Sequence, residues 1–142
     1  MVESTGSQRN IAIVMNRDLL FGSRIRSALA SLGLEGRFVA TAEEFVCAMS
    51  ELAGSAAIGV IDMNRPVTWG VIRDALSLAD DGAVPTLAFG PHVDVEGRRA
   101  AKAAGVTRIV SNGQFHSDMA GLIDRYRLKF AYEVNLQTPH DN

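Results

Sequence analysis

The chain has 142 residues, 47% hydrophobic and 21% charged, which predicts one globular domain over residues 1–142 with a core at about 10–130. The net charge of −2 and the dispersed Arg and Lys residues exclude an extended basic surface for nucleic acid. No apolar run approaches the ~20 residues of a membrane span, and the single cysteine, Cys47, excludes an internal disulfide. We therefore expect a cytoplasmic protein without a membrane partner, with Cys47 packed in the interior.

Short apolar runs alternate with amphipathic segments along the chain. The runs predict five strands, at residues 11–15, 37–40, 56–61, 84–89 and 107–110. They contain few charges and little alternation, which is typical of parallel strands that are covered on both faces.

The intervening segments predict five helices. Apolar residues repeat at spacings of three and four before Gly33, and Thr41 and Glu44 form the capping-box pattern of the second helix. The third helix is expected at about 69–78 and the fourth at about 95–104. The last is expected to begin near Phe115 and to continue to Tyr132 or beyond.

Five consecutive strand–helix units predict an α/β fold with a doubly wound five-stranded parallel sheet and helices on both faces. For this length, the flavodoxin-like strand order 2-1-3-4-5 is expected. Functional groups in such folds gather at the carboxyl ends of the strands.

A cluster of matches gives a resemblance to a known family. Asp62 ends the third strand and Pro66 follows four positions later, while VPTLAF (84–89) forms the fourth strand and AAG (103–105) leads into the fifth. Over about residues 10–127 the chain resembles the receiver domain of bacterial two-component response regulators, of the chemotaxis-regulator type. The resemblance implies a phosphorelay signalling module with Asp62 at the phosphoacceptor position.

The positions around Asp62 depart from the receiver pattern. Where the family has an acidic pair after the first strand, this chain has Asn16 and Arg17, with Asp18 one step further. Gly90 stands where the family has Ser or Thr, and Asn112 where it has Lys. Phosphoryl transfer to a carboxylate uses Mg²⁺ to offset charge, and the ion is held by acidic side chains. Because at most one acid of the pair remains here, we expect no cofactor; a metal, if bound, would use Asp62 and Asp18.

Arg17 raises two alternatives. Its guanidinium either replaces the divalent ion by bridging to Asp62, or it points to solvent while Asp62 caps the loop that follows. A second pair of alternatives concerns Trp69, which either anchors its loop on the third helix or covers a small pocket at the sheet edge.

These features predict a non-enzymatic pseudo-receiver that acts by protein–protein interaction, without conventional Mg²⁺-dependent phosphorylation. The alternatives are a receiver that is still phosphorylated on Asp62, or a flavodoxin-like domain that binds a small ligand. By resemblance, the contact face would comprise the fourth helix, fifth strand and last helix, and a homodimer through this face is a further option. Its predicted residues are Arg98, Arg99, Lys102, Arg108, Tyr126 and Phe130.

Overall fold

The computed structural model describes residues 9–77 and 84–128. Its sheet has five strands in the order β2-β1-β3-β4-β5, and every neighbouring pair is parallel. This confirms the predicted fold class and strand order. The strands are β1 (Ile11–Met15), β2 (Glu35–Val39), β3 (Ala56–Asp62), β4 (Thr86–Gly90) and β5 (Arg108–Ser111).

Six helices follow these strands within the described ranges. They are α1 (Leu19–Ser31), α2 (Ala42–Glu51), α3 (Trp69–Ser77), α4 (Val95–Ala103), α5 (Asn112–Ser117) and α6 (Met119–Tyr126). The predicted capping box of α2 is present, with Thr41 Oγ1 accepting from the Glu44 backbone and the Glu44 carboxylate accepting from the Thr41 N–H. Gly33, after α1, has a φ of +75°, a left-handed conformation that favours glycine. No helix in the described part of the chain is both long and apolar enough to cross a membrane.

The predicted long last helix is wrong. The segment forms two helices separated at Asp118, and α6 ends at Tyr126 because Arg127 is extended (φ −75°, ψ 153°). One local and one tertiary contact follow this end: the Arg127 side chain pairs with Asp124 at 2.7 Å, and the Leu128 N–H donates to the distant Ala57 carbonyl at 2.9 Å. Phe130 and Tyr132 lie outside the described residues.

Two apolar clusters cover the two faces of the sheet. Alternate β1 side chains go to opposite clusters, with Val14 in the first and Ile13 in the second. The first cluster packs against α1, α5 and α6, and the second against α2, α3 and α4. Because the strands are all parallel, the loops after β1, β3 and β4 meet at the carboxyl edge of the sheet. Cys47, on α2, is exposed, so its predicted interior packing is wrong.

Candidate functional site

Asp62 ends β3 at the carboxyl edge and is only 7% exposed. Its Oδ2 accepts a hydrogen bond from Asn16 Nδ2 at 2.8 Å. Its Oδ1 accepts from both the backbone N–H and the Nδ2 of Asn64, each at 2.8 Å. Both carboxylate oxygens are thus held by neutral N–H donors, which satisfy a buried charge without a cation.

Asn64 extends this network to the end of β5. Its Nδ2 donates to Asn112 Oδ1 at 3.0 Å, and Asn112 Nδ2 donates back to Asn64 Oδ1 at 2.8 Å. The carboxyl ends of β1, β3 and β5 are joined through four side chains. Asn112, which stands at the family's lysine position, contacts Asn64 in this network and carries no charge.

The predicted bridge between Arg17 and Asp62 is not formed. Arg17 is exposed, and the ion pairs within 4.0 Å among the described residues do not include it. The alternative is confirmed, since Asp62 accepts from the backbone N–H two residues later and so caps the loop. Three acceptor sites of the carboxylate are used by amide and backbone N–H donors instead.

Asp18 caps α1. Its Oδ1 accepts from the backbone N–H groups of Leu20 and Phe21, at 2.9 and 3.1 Å. This is an ordinary N-cap role, so this carboxylate oxygen is engaged in the helix. Among the described residues there is no group of three or more His, Cys, Asp or Glu side chains placed to hold a metal ion.

Gly90 is sterically closed to larger residues. A Cβ at this position would lie 2.9 Å from Met63 Cβ. The Met63 N–H also donates to the Phe89 carbonyl at 2.8 Å, which ties the loop after β3 to β4. Receivers have a Ser or Thr at this position, and the packing of Met63 leaves no room here for a side chain that would carry that hydroxyl.

His116 lies beside the network and no role is predicted for it from the sequence. Its ring packs against Phe21 at a tilt of 48°, with centroids 4.4 Å apart, and contacts Phe89 and Phe115 edge-on. Both ring nitrogens are buried without a hydrogen-bond partner in the described structure. Burial lowers the pKa of His116, and the positive charge of Arg24 lowers it further, while Asp62 acts in the opposite direction.

Asn64 is the site residue that sequence reasoning missed. Its position two residues after Asp62 is the available signal, because an aspartate commonly caps the N–H two residues on. Its pairing with Asn112, 48 residues away, has no local signal.

The predicted contact face is only partly available. Arg99, Lys102 and Arg108 are exposed, with Arg99 at 3.6 Å from Glu96, whereas Arg98 is half-buried. Tyr126 packs against the first core cluster, as expected if the aromatic folds back onto the sheet. An interface or homodimer at this face stays a prediction.

Two depressions open at the carboxyl edge. The first, here called the cleft, has a volume of about 140 Å³ and is lined by Arg17, Asp62 and Arg65 together with the start of α2. The second, here called the groove, has a volume of about 440 Å³ and lies between the loops after β3 and β4. Trp69 is the first residue of α3, packs against the second core cluster and also lines the groove.

No protein-family model and no curated protein matches the sequence. Solved structures do share its fold. The chemotaxis protein CheY4 of Vibrio cholerae is 14% identical, with 82% of this chain and 98% of that chain covered and a TM-score of 0.66. A CheY-like protein, TadZ, from Pseudomonas aeruginosa is 20% identical with the same coverage and a TM-score of 0.63.

A third similar structure is the receiver domain of the sensor histidine kinase PA1611 from Pseudomonas aeruginosa, which has a magnesium ion coordinated in its active site cleft. It is 16% identical, covers 82% of this chain and 96% of its own, and has a TM-score of 0.68. At these identities the comparisons establish the receiver fold, as the sequence resemblance predicts.

Proposed function

We propose that this chain is an atypical receiver domain that signals through protein–protein contact, without conventional Mg²⁺-dependent phosphorylation of Asp62. The observation that carries the proposal is the state of the Asp62 carboxylate. Its two oxygens accept three hydrogen bonds from Asn16 and Asn64. A carboxylate used in this way is a structural group that holds three strand ends together.

The missing negative charge supports the same proposal. Mg²⁺ takes octahedral oxygen ligands and is held in proteins by carboxylates and waters. At this edge Asp62 is the only one of the family's acidic positions that retains an acid, and Asp18 caps α1. Arg17, which lines the same cleft, adds a positive charge that opposes a divalent ion.

The other two departures remove stabilisation of the transferred phosphoryl group. Hydroxyl and ammonium donors assist phosphoryl transfer by neutralising charge as it develops on the phosphoryl oxygens. Gly90 has no donor side chain and is packed against Met63, and Asn112 donates to Asn64. We propose that the loss of these groups leaves a fixed scaffold for binding, with no catalytic role.

Incubation of the full chain with acetyl phosphate and Mg²⁺, followed by intact-mass measurement, tests this proposal. We expect no phosphoryl adduct and no Mg²⁺-dependent rise in Tm, since a ligand raises Tm only when it binds the native state. A conventional receiver treated in parallel verifies the reagent. An adduct that disappears in Asp62→Asn would overturn the proposal in favour of a receiver still phosphorylated on Asp62.

A further inference from the structure

The exposed large apolar side chains of the described residues all lie at the carboxyl edge. Leu19 and Leu20, at the start of α1, are 91% and 70% exposed. Val93 and Val95, at the start of α4, are 72% and 59% exposed. Isolated exposed apolar residues are ordinary, and here they form two pairs at the same edge, one of which includes Val93, a lining residue of the groove.

The cleft and the groove adjoin each other at this edge. Arg65, Pro66 and Val67 line both of them, so the loop after β3 forms their shared wall. The groove is mainly apolar and includes Met63, Trp69 and Val93 among its lining residues. Arg65 therefore lies between the cleft, which Arg17 also lines, and the mainly apolar groove.

Of the charged side chains that line the cleft, Arg17, Arg65 and Glu43 are exposed and Asp62 is buried, so the exposed charge of the cleft is mainly positive. Arg17 and Arg65 have no carboxylate within 4.0 Å in the described structure.

The width of the edge indicates a protein ligand. β1 and β4 lie on either side of β3, so the two apolar pairs are separated by two strand spacings, about 10 Å, along the sheet. They also belong to helices on opposite faces of the sheet. A polypeptide segment spans such a surface, whereas a single small anion would contact only the cleft.

We infer that the carboxyl edge docks a segment of a partner protein in which an acidic side chain lies next to a large apolar one. The acid enters the cleft between the β1 and β3 loops, towards Arg17 and Arg65, and the apolar side chain fills the groove over Trp69. This inference rests on the proposed function, because it names the surface and the partner chemistry of that protein contact.

A displayed library of random peptides, panned against the full chain, tests the inference without a known partner. We expect enrichment of peptides with Asp or Glu adjacent to Leu, Ile, Phe or Trp. A selected peptide, labelled with fluorescein, should bind Arg65→Glu about tenfold or more weakly than wild type, because the variant places like charges together. Arg73→Glu, an equal charge change at an exposed residue of α3 that lines neither the cleft nor the groove, should bind as wild type does.

Amide shifts of the labelled protein on peptide addition should be confined mainly to the loops after β1, β2, β3 and β4. Failure to select any peptide, selection of peptides without the acidic–apolar pair, or equal binding by wild type and Arg65→Glu overturns the inference. Thermal unfolding of each variant verifies that the exposed substitutions leave the fold intact. Phosphorylation of Asp62 in the acetyl phosphate experiment overturns the proposed function separately, so the two failures are distinguishable.

Discussion

Substitution of Gly90 by alanine should destabilise the fold through one contact. The added Cβ would lie 2.9 Å from Met63 Cβ and 3.6 Å from the Met63 carbonyl carbon. Carbon atoms pack best at about 3.5–4.0 Å, so one of the two backbones must move by roughly half an ångström. A change of the Met63 rotamer gives no relief, because its Cβ is fixed by the backbone.

The required movement disturbs the site as well as the core. The Met63 N–H donates a hydrogen bond to the Phe89 carbonyl, and the next residue, Asn64, donates two hydrogen bonds to Asp62 Oδ1. Overpacking of this kind costs about 1–3 kcal/mol, and we expect about 2 kcal/mol for Gly90→Ala. Gly90→Ser, which restores a hydroxyl, should cost at least as much.

Urea unfolding followed by circular dichroism and by the fluorescence of the single tryptophan, Trp69, measures this change. Gly70→Ala is the matched control, since a Cβ there meets nothing within 4 Å. In α3 the control should be neutral or stabilising by up to about 1 kcal/mol. If Gly90→Ala unfolds within about 0.5 kcal/mol of wild type, the steric explanation for the missing hydroxyl is refuted.

Two further predictions concern the neighbouring side chains. Since burial lowers the pKa of His116, the unfolded chain binds more protons than the folded one just below pH 6.5. The free energy of unfolding of the wild type therefore falls as the pH drops from about 6.5 towards the folded pKa. Because phenylalanine does not titrate, the free energy of unfolding of His116→Phe relative to that of the wild type should rise as the pH drops from about 7.5 to 5.5, as measured by urea unfolding. A gap between the two proteins that is constant with pH would contradict this. Asn64→Ala should cost about 1–2 kcal/mol because a hydrogen bond to a buried carboxylate is lost. Asn112→Ala leaves that bond in place and should cost less than half as much; equal costs in urea unfolding would show that the Asp62 bond contributes little.

The sheet and most helices are predictable because their signals are local. Apolar runs define the strands, and the Thr41–Glu44 capping box fixes the start of α2 from four consecutive residues. The end of α6 is not predictable in this way, since Arg127 and Leu128 are held by Asp124 and by the distant Ala57. Local periodicity alone extends that helix too far.

At the site, the sequence predicts which residues converge but not how they are bonded. A charge argument pairs Arg17 with Asp62, whereas the structure uses neutral donors from Asn16 and Asn64. The choice depends on side-chain directions at strand ends, which residue types do not specify. The contact between Gly90 and Met63 likewise arises only when β3 and β4 are placed side by side.

The bonds from Asn64 to Asp62 have a consequence for association kinetics and affinity. They anchor the beginning of the loop that carries Arg65, so this wall of the cleft and groove is held in place before any ligand arrives. A preorganised surface loses little conformational entropy on binding. Under the proposed function, the domain should present the same shape whatever the metal supply of its surroundings, and occupancy of this surface should follow the concentration of the partner.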